Sequence, residues 1–561
     1  MKAMNRISFI ICGVMALGAL PASAQMDNVV EVETNYRPTV KDADKINVMP
    51  KSEAMSTTHY SVDYSSKPTF TDRYAFQPMW AARNPQLLRS DKKMFATFGY
   101  GTEGNVYGRL AGQLDLKGGN SLHVDYSTQG FNTTLKQYQA LKDMEEWDGR
   151  FYTTGLDLSF SHRFGNGAEL NISGDYQLDV FNYQPDYDCI GVVNTDKQHN
   201  DIYGATIELT PCEFGNFAIA ADADYHHFGQ KYRVNPDDKY SEDIVEAGLV
   251  PEYDFGNGIK IDAELGFEYT KYGTRYLEGH TAFDATPHFC YTSDAIGLKA
   301  GVYVNNELDI APDVEFTYHV SPRFDFYLKA AGGETAQNMR TFRRMSPYFT
   351  LDATSETGTY ATGSTTTDNL ELDNSFDQLM GRAGVRFTPL DGLYLDLSAC
   401  YDLRENVAEI TNAPLGLPLV YNPITFADHK RFHAHADLDY QWEDRVSIFL
   451  KNEYNKYDWD GDRTFIWRPV LNADWNVTAR LIDQLRLGVS FVYQSFDDVT
   501  EGTKVYERRD VMNLGASLTY TFPFHLTLYA KADNLLGRDY APYLNYQTMD
   551  RNFMFGAAIT F

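Results

Sequence analysis

The stretch 552-NFMFGAAITF-561 closes the chain, and the placement of its apolar side chains is where the fold is decided. Successive strand side chains point to opposite faces, so Phe553, Phe555, Ala557, Ile559 and Phe561 share one face and Met554, Gly556, Ala558 and Thr560 the other. One such strand would suit any half-buried sheet. Repetition along the chain discriminates, and from Lys93 onward the period-2 pattern recurs in runs longer than the usual soluble strand of about 5 or 6 residues. In ELNISGDYQLDV (169–180), Leu170, Ile172, Tyr176, Leu178 and Val180 oppose Glu169, Asn171, Ser173, Asp175, Gln177 and Asp179. IKIDAELGFEYT (259–270) behaves the same way, as do LYLDLSACYDL and FHLTLYAKAD.

A soluble sandwich also alternates, so connection lengths break the tie. Short turns (KGGN 117–120, FGNG 164–167, DFGNG 254–258, SPR 321–323, PLDG 389–392, WED 442–444) interleave with long connections, the longest being 333–374, 404–430 and 131–150. Short turns at one end and long loops at the other mark an outer-membrane barrel. The expected fold is all-β: a transmembrane antiparallel barrel of about 22 strands, closed by the strand that ends at Phe561. Residues 281–320 give the weakest count. Because lipid offers the backbone no hydrogen-bond partner, the sheet must close, with apolar side chains outward and polar ones inward. The inward face then includes Asp175, Asp179, Asp222, Asp224, Asp262, Glu264, Glu268, Asp396, Asp402, Asp437 and Asp439, opposed by Lys260, Arg431, Lys451, Arg486 and Lys531. In this sample carboxylates outnumber bases.

The N-terminus places the chain in a compartment. MKAMNR is basic, ISFIICGVMALGAL is apolar but short, and PASA precedes Gln25, so residues 1–24 read as a secretory signal peptide cut between Ala24 and Gln25. The formal charge is −28, and loss of Lys2 and Arg6 makes it −30, which excludes nucleic acid as a partner class. Residues 25–91 read as a periplasmic or lumenal segment and 92–561 as the barrel, located in the outer membrane of a Gram-negative cell. Cys189, Cys212, Cys290 and Cys400 are too scattered for a disulfide framework. Cys189 falls in an extracellular loop and Cys212 at the periplasmic end, too far apart for a bridge.

KADNLLGRDY (531–540), followed by Arg551, Phe553, Gly556 and Phe561, resembles the C-terminus of TonB-dependent receptors, with Asn534, Leu535 and Tyr540 at the matching positions. The resemblance implies a barrel of that class, and the terminal aromatic resembles the signal read by the outer-membrane assembly machinery. Such receptors carry a plug domain with LRG- and VLIDG-type motifs. Residues 25–91 show neither motif, and DNVVEVETNYRPTVKDADKINVMP (27–50) within them resembles instead the N-terminal segment of plug-less receptor-like barrels.

Other motifs have plainer readings. GYGTEG (99–104) has dinucleotide-binding spacing but lies between strands, so a tight hairpin is expected. DWDGD gathers Asp458, Asp460 and Asp462 without EF-hand spacing, which favours a solvated acidic turn over a calcium site. His433 and His435 share one strand face beside Asp437 and Asp439; a transition metal is one reading and a hydrated lumen lining the favoured one. Neither a G-x-S-x-G elbow nor an H-E-x-x-H helix occurs, so no enzyme and no cofactor are expected. The leading functional reading is a channel for small polar or cationic solutes. A non-transporting barrel that scaffolds a surface or assembly complex is the alternative, and an outer-membrane hydrolase a distant third. Expected partners are outer-membrane lipid and lipopolysaccharide, the assembly machinery, and a surface lipoprotein or periplasmic protein.

Overall fold

A computed structural model gives the architecture for residues 94–561, apart from 137–145, 166, 185–196, 232–240, 274–276, 352–369, 373, 411–421, 460–467, 498, 502–503, 507–508 and 544–545. The signal-peptide reading, the 25–91 segment, Cys189, Asp460 and Asp462 lie outside the described residues. Twenty-two antiparallel strands of 8 to 21 residues close into one barrel. Each strand pairs with its sequence neighbours, and the seam joins the first (Met94–Gly101) to the last (Asn552–Thr560). Closure leaves no strand edge facing lipid. The region hardest to count resolves into three strands, His280–Thr292, Ile296–Asn305 and Ile310–Ser321.

The exposed large side chains lie where the alternation places them. Ile172, Ile207, Leu249, Leu265, Leu397 and Leu528 form part of the apolar outer band. Phe214, Phe255, Trp442, Phe524 and Phe561 rim it at the short-turn end, and Tyr100, Tyr176, Tyr203, Tyr269 and Tyr401 at the other, as aromatic girdles do at the two faces of a bilayer. No helix is long and apolar enough to cross a membrane, so the crossing is made by strands. The barrel sits in the outer membrane, its short turns toward the periplasm and its long connections outward.

Two glycine readings are settled locally. GYGTEG is a hairpin: Glu103 and Gly104 both have positive φ, and Asn105 N–H donates to Thr102 O at 3.1 Å, the type I′ geometry that suits strand twist. Gly556 faces the lumen opposite Gly99, and a Cβ there would collide with the ring of Tyr529, whose hydroxyl also lies against Gly99 and bonds Thr97 Oγ1 at 3.3 Å. The aromatic thus covers a glycine pair at the seam. Gly556→Val should cost about 1–3 kcal/mol through overpacking, read as a lower temperature of heat modification. A Cβ at Gly556 would also lie 2.5 Å from Phe98 O, so in a Tyr529→Ala background the same change should cost less without becoming neutral, and an equal cost in both backgrounds would dismiss the ring's part in the packing account.

The long connections are shorter than the sequence pattern suggests. Strands Asn120–Lys136 and Glu146–Arg163 reduce the 131–150 connection to residues 137–145, and Leu393–Ile410 with Asn422–Trp442 reduce 404–430 to 411–421. Above the membrane Phe131, Leu135, Ala408, Ile410 and Ile424 are buried, and along Phe131–Leu135 the polar Asn132 and Thr134 are the exposed residues, so the apolar-outward alternation is inverted while the strand continues.

Candidate functional site in the barrel lumen

The lumen of the upper barrel is occupied by the chain's own connection after strand Phe324–Thr335. Its first part forms a seven-residue helix, Met339–Met345. Asn338 caps it by accepting from Thr341 N–H at 2.8 Å, and the Ser346-Pro347 pair stops it. Met339, Phe342 and Met345 recur every third residue and are buried, which leaves Arg340, Arg343 and Arg344 on the remaining surface. Next, Phe349–Leu351 runs parallel to Asn422–Ile424 as an extra strand inside the wall.

This segment touches opposite sides of the barrel, so it must cross the lumen. On one side Arg343 grips Asp179 bidentately, with Nη2–Oδ1 at 2.7 Å; Arg340 lies 3.8 Å from Asp175 and also bonds His226. Met339 N–H donates to the Glu242 carboxyl at 2.8 Å, and Asp179 is wholly buried. On the other side Gln337 donates to Asn406 O, and Ser346 Oγ meets Asn422 Oδ1 at 2.7 Å. Two apolar clusters fix the segment between these anchors. Met339, Phe342, Met345 and Phe349 pack with Ile202, Phe228, Tyr272, Leu372, Ile410 and Ile424. Tyr348 enters a second cluster with Phe181, Tyr183, Trp147, Tyr543 and Tyr546, stacked on Tyr546 at 3.5 Å and 4°. Burial raises the Tyr348 phenol well above its ordinary pKa, with Tyr543 and Tyr183 adding to the shift, so it stays neutral.

Most of the inward acids expected from the sequence have partners that the sequence reading did not name. Asp262 and Asp313 bracket His288 at 2.6 and 2.7 Å, Glu264 meets Lys299 at 3.0 Å, and Glu268 meets His280 at 3.1 Å. Asp224 accepts from Thr206 at 2.5 Å. Asp396 accepts from Tyr327 Oη at 2.7 Å and Arg386 Nε at 3.2 Å, with the Arg386 guanidinium 4.2 Å above the Tyr327 ring. Asp402 lies 3.0 Å from His433 Nε2. Asp437 faces Lys451 across the strand pair, and Asp439 is two residues nearer the periplasm. The wall near Arg382, Arg386, Arg404, Arg431 and Arg468 is well supplied with bases, including the Arg404–Asp377 and Arg468–Glu409 pairs. The opposite wall stays acid-rich. There Asp125, Asp157 and Asp175 are lateral neighbours on three strands, as are Asp224, Glu246 and Glu268.

The remaining sequence candidates are structural in part. Asn534, at positive φ, donates to Arg538 O and Met549 O and accepts from Arg538 N–H, while Leu535 N–H donates to Leu514 O. Arg551 Nε donates to Leu535 O at 3.1 Å, and Tyr540 is buried beneath the same loop. The motif is therefore the fastening of the last outer loop. Asp458 is the penultimate residue of strand Val446–Trp459, opposite Lys430. Cys212 is a free thiol near the lower end of strand Gln198–Phe214. The basic helix has a signal in MRTFRRM, whose apolar residues fall three apart behind an Asn cap, but it is short and lies inside a long connection.

With this geometry in place, solved structures supply the comparison. The siderophore receptor PiuA from Acinetobacter baumannii superposes with a TM-score of 0.58 at 12% identity, covering 84% of this chain and 82% of that one. The FrpB iron transporter from Neisseria meningitidis gives 0.61 at 8%, covering 85% and 83%. The copper transporter OprC gives 0.60 at 10%, covering 84% and 81%. The chain has the barrel fold of TonB-dependent receptors. No family model and no curated protein matches it. These neighbours are receptors and transporters, not enzymes, and at such identities the likeness concerns the fold.

Proposed function

We propose that this barrel is an outer-membrane channel for small polar or cationic solutes, obstructed by its own 337–351 segment in place of a separate plug. The observation that carries the reading is the docking of an arginine-bearing helix against an acid-rich lumenal wall. The protein's own cation fills the place where a solute cation would be attracted. Deeper in the lumen Asp157, Asp222 and Asp284 have no ion pair among the described residues. Low-dielectric walls focus the field of such charges onto the aqueous path. The neighbours' cargoes belong to those proteins; here the wall chemistry alone suggests the solute class.

Reversal potentials of the purified barrel across a potassium chloride gradient test this. Cation selectivity is expected, falling as added salt shortens the Debye length from about 10 Å at 0.1 M. The triple variant Asp157→Asn, Asp222→Asn, Asp284→Asn should lose part of it. An anion-selective potential would refute the charge argument. The scaffolding alternative draws on the two buried clusters that tie the outer loops together. A well-folded barrel with no conductance at all would favour it.

A further inference from the structure

We infer that the lumenal wall carries a binding site for a divalent transition metal of the zinc class, formed by Cys400, His433 and His435. The three residues come together through strand register. Cys400, on strand Leu393–Ile410, is the direct cross-strand partner of His433 on Asn422–Trp442, and His435 lies two residues further along the same face. Their ligand atoms all lie within 4.8 Å of one another.

The geometry suits coordination better than a simple polar lining. His433 Nδ1 and His435 Nε2 are 2.7 Å apart, and the two rings meet nearly edge to face at 85°. Both lone pairs can therefore turn toward one point. Two imidazole nitrogens on a tetrahedral Zn²⁺ stand about 3.3 Å apart, given Zn–N bonds of about 2.0–2.1 Å, so entry of the ion needs only a small separation of the rings. On its far side, His433 Nε2 lies 3.0 Å from Asp402 Oδ2, off the line of a full hydrogen bond. A slight ring rotation would complete that bond, fixing the Nδ1 lone pair toward the metal in the carboxylate–histidine–metal arrangement that raises ligand basicity. Cys400 and His433 are buried and His435 half-buried, in a wall otherwise built of strong hydrogen-bonding groups.

A thiolate with two imidazoles is a donor set for zinc or copper rather than magnesium or calcium. Binding Zn²⁺ displaces the Cys400 thiol proton to solvent and the proton shared between the two histidines moves to an outer ring nitrogen. Three protein ligands leave a fourth position for water or a solute group. The lumen holds a second cluster of ligating residues, Asp262, Glu264 and His288, which makes a useful contrast. Both His288 nitrogens are already committed, to Asp262 and Asp313, and Glu264 is paired with Lys299, so that group offers no free imidazole lone pair.

The test uses the intact refolded barrel, reduced and freed of metal, titrated with Co²⁺ and then with Zn²⁺. Expected are a thiolate-to-cobalt charge-transfer band with tetrahedral d–d bands at one equivalent, both erased by Zn²⁺, and protection of Cys400 from alkylation by Zn²⁺. Cys400→Ser should abolish the charge-transfer band, His435→Ala should weaken binding at least tenfold, and Asp402→Asn should weaken it about 10–100-fold. Each variant is first checked for an unchanged heat-modifiable barrel. For Cys400 a Cys400→Ala variant supplies a second check against misfolding. No charge-transfer band from folded wild type, or equal Co²⁺ spectra from wild type and Cys400→Ser, would overturn the assignment.

Discussion

A barrel in which residues 337–351 are replaced by a short Gly-Ser link should conduct severalfold more than wild type in planar bilayers and should sensitise cells to large polar antibiotics. A 22-stranded wall encloses a lumen that is plugged in the outer-membrane transporters built on it, and here the described occupant is the helix with the strand that follows it. A single substitution should produce part of the effect. Asp179 is wholly buried and holds Arg343 in a bidentate pair; Asp179→Ala removes that carboxylate grip on the guanidinium. Breaking one side of a buried pair costs about 3–5 kcal/mol, a factor of roughly 10² to 5 × 10³ as an upper range for the docked-to-undocked ratio. The exchange Asp179→Arg with Arg343→Asp should restore much of the block, because the pair is kept while each residue changes sign. Deleting Gln25 to Arg89 asks the same question of the segment outside the described residues. Unchanged conductance on removal of 337–351 would dismiss it as the obstruction, and a rise only on deletion of the N-terminal segment would transfer that role.

How much of this was legible beforehand depended on which contacts the pattern depends on. Alternation reports a face, and lipid enforces it on every spanning strand, so the barrel, its strand number and the outward setting of Ile172, Leu265 and Phe555 could be read directly. The hairpin at GYGTEG was legible because flanking strands exclude the helix that a nucleotide fold requires. What a lumenal side chain meets across strands is set by register, which no local pattern states. Cys400 and His433 are 33 positions apart and face one another only because strands Leu393–Ile410 and Asn422–Trp442 pair as they do. The acid count met the same limit. Asp396 was visible in the sequence, but Arg386 above Tyr327, which neutralises it, lies on another strand. Arg340 and Arg343 sit in a connection, where no strand face assigns them inward at all.

Removing Phe561 should nearly abolish the heat-modifiable barrel, and Phe561→Ala should lower its yield substantially while Phe561→Trp retains it. The final residue closes the seam twice through its backbone. Met94 N–H donates to Phe561 O and Phe561 N–H donates to Met94 O, both at 3.0 Å, extending the ladder that runs from Phe95↔Thr560 to Gly101↔Met554. Deletion leaves the Met94 groups without strand partners at the membrane edge, where each unsatisfied group is expensive. Alanine keeps both backbone bonds, so its effect isolates the side chain. That ring is half exposed on the outer surface, at the same periplasmic rim as Phe522 and Phe524, and belongs to the lower aromatic girdle. Loss of one girdle ring from a finished barrel of 22 strands should scarcely change its melting. A large fall in yield for Phe561→Ala with unchanged melting of the barrels that do form therefore separates recognition during assembly from stability afterwards. Equal yields for wild type and Phe561→Ala would show that the assembly machinery does not read this aromatic.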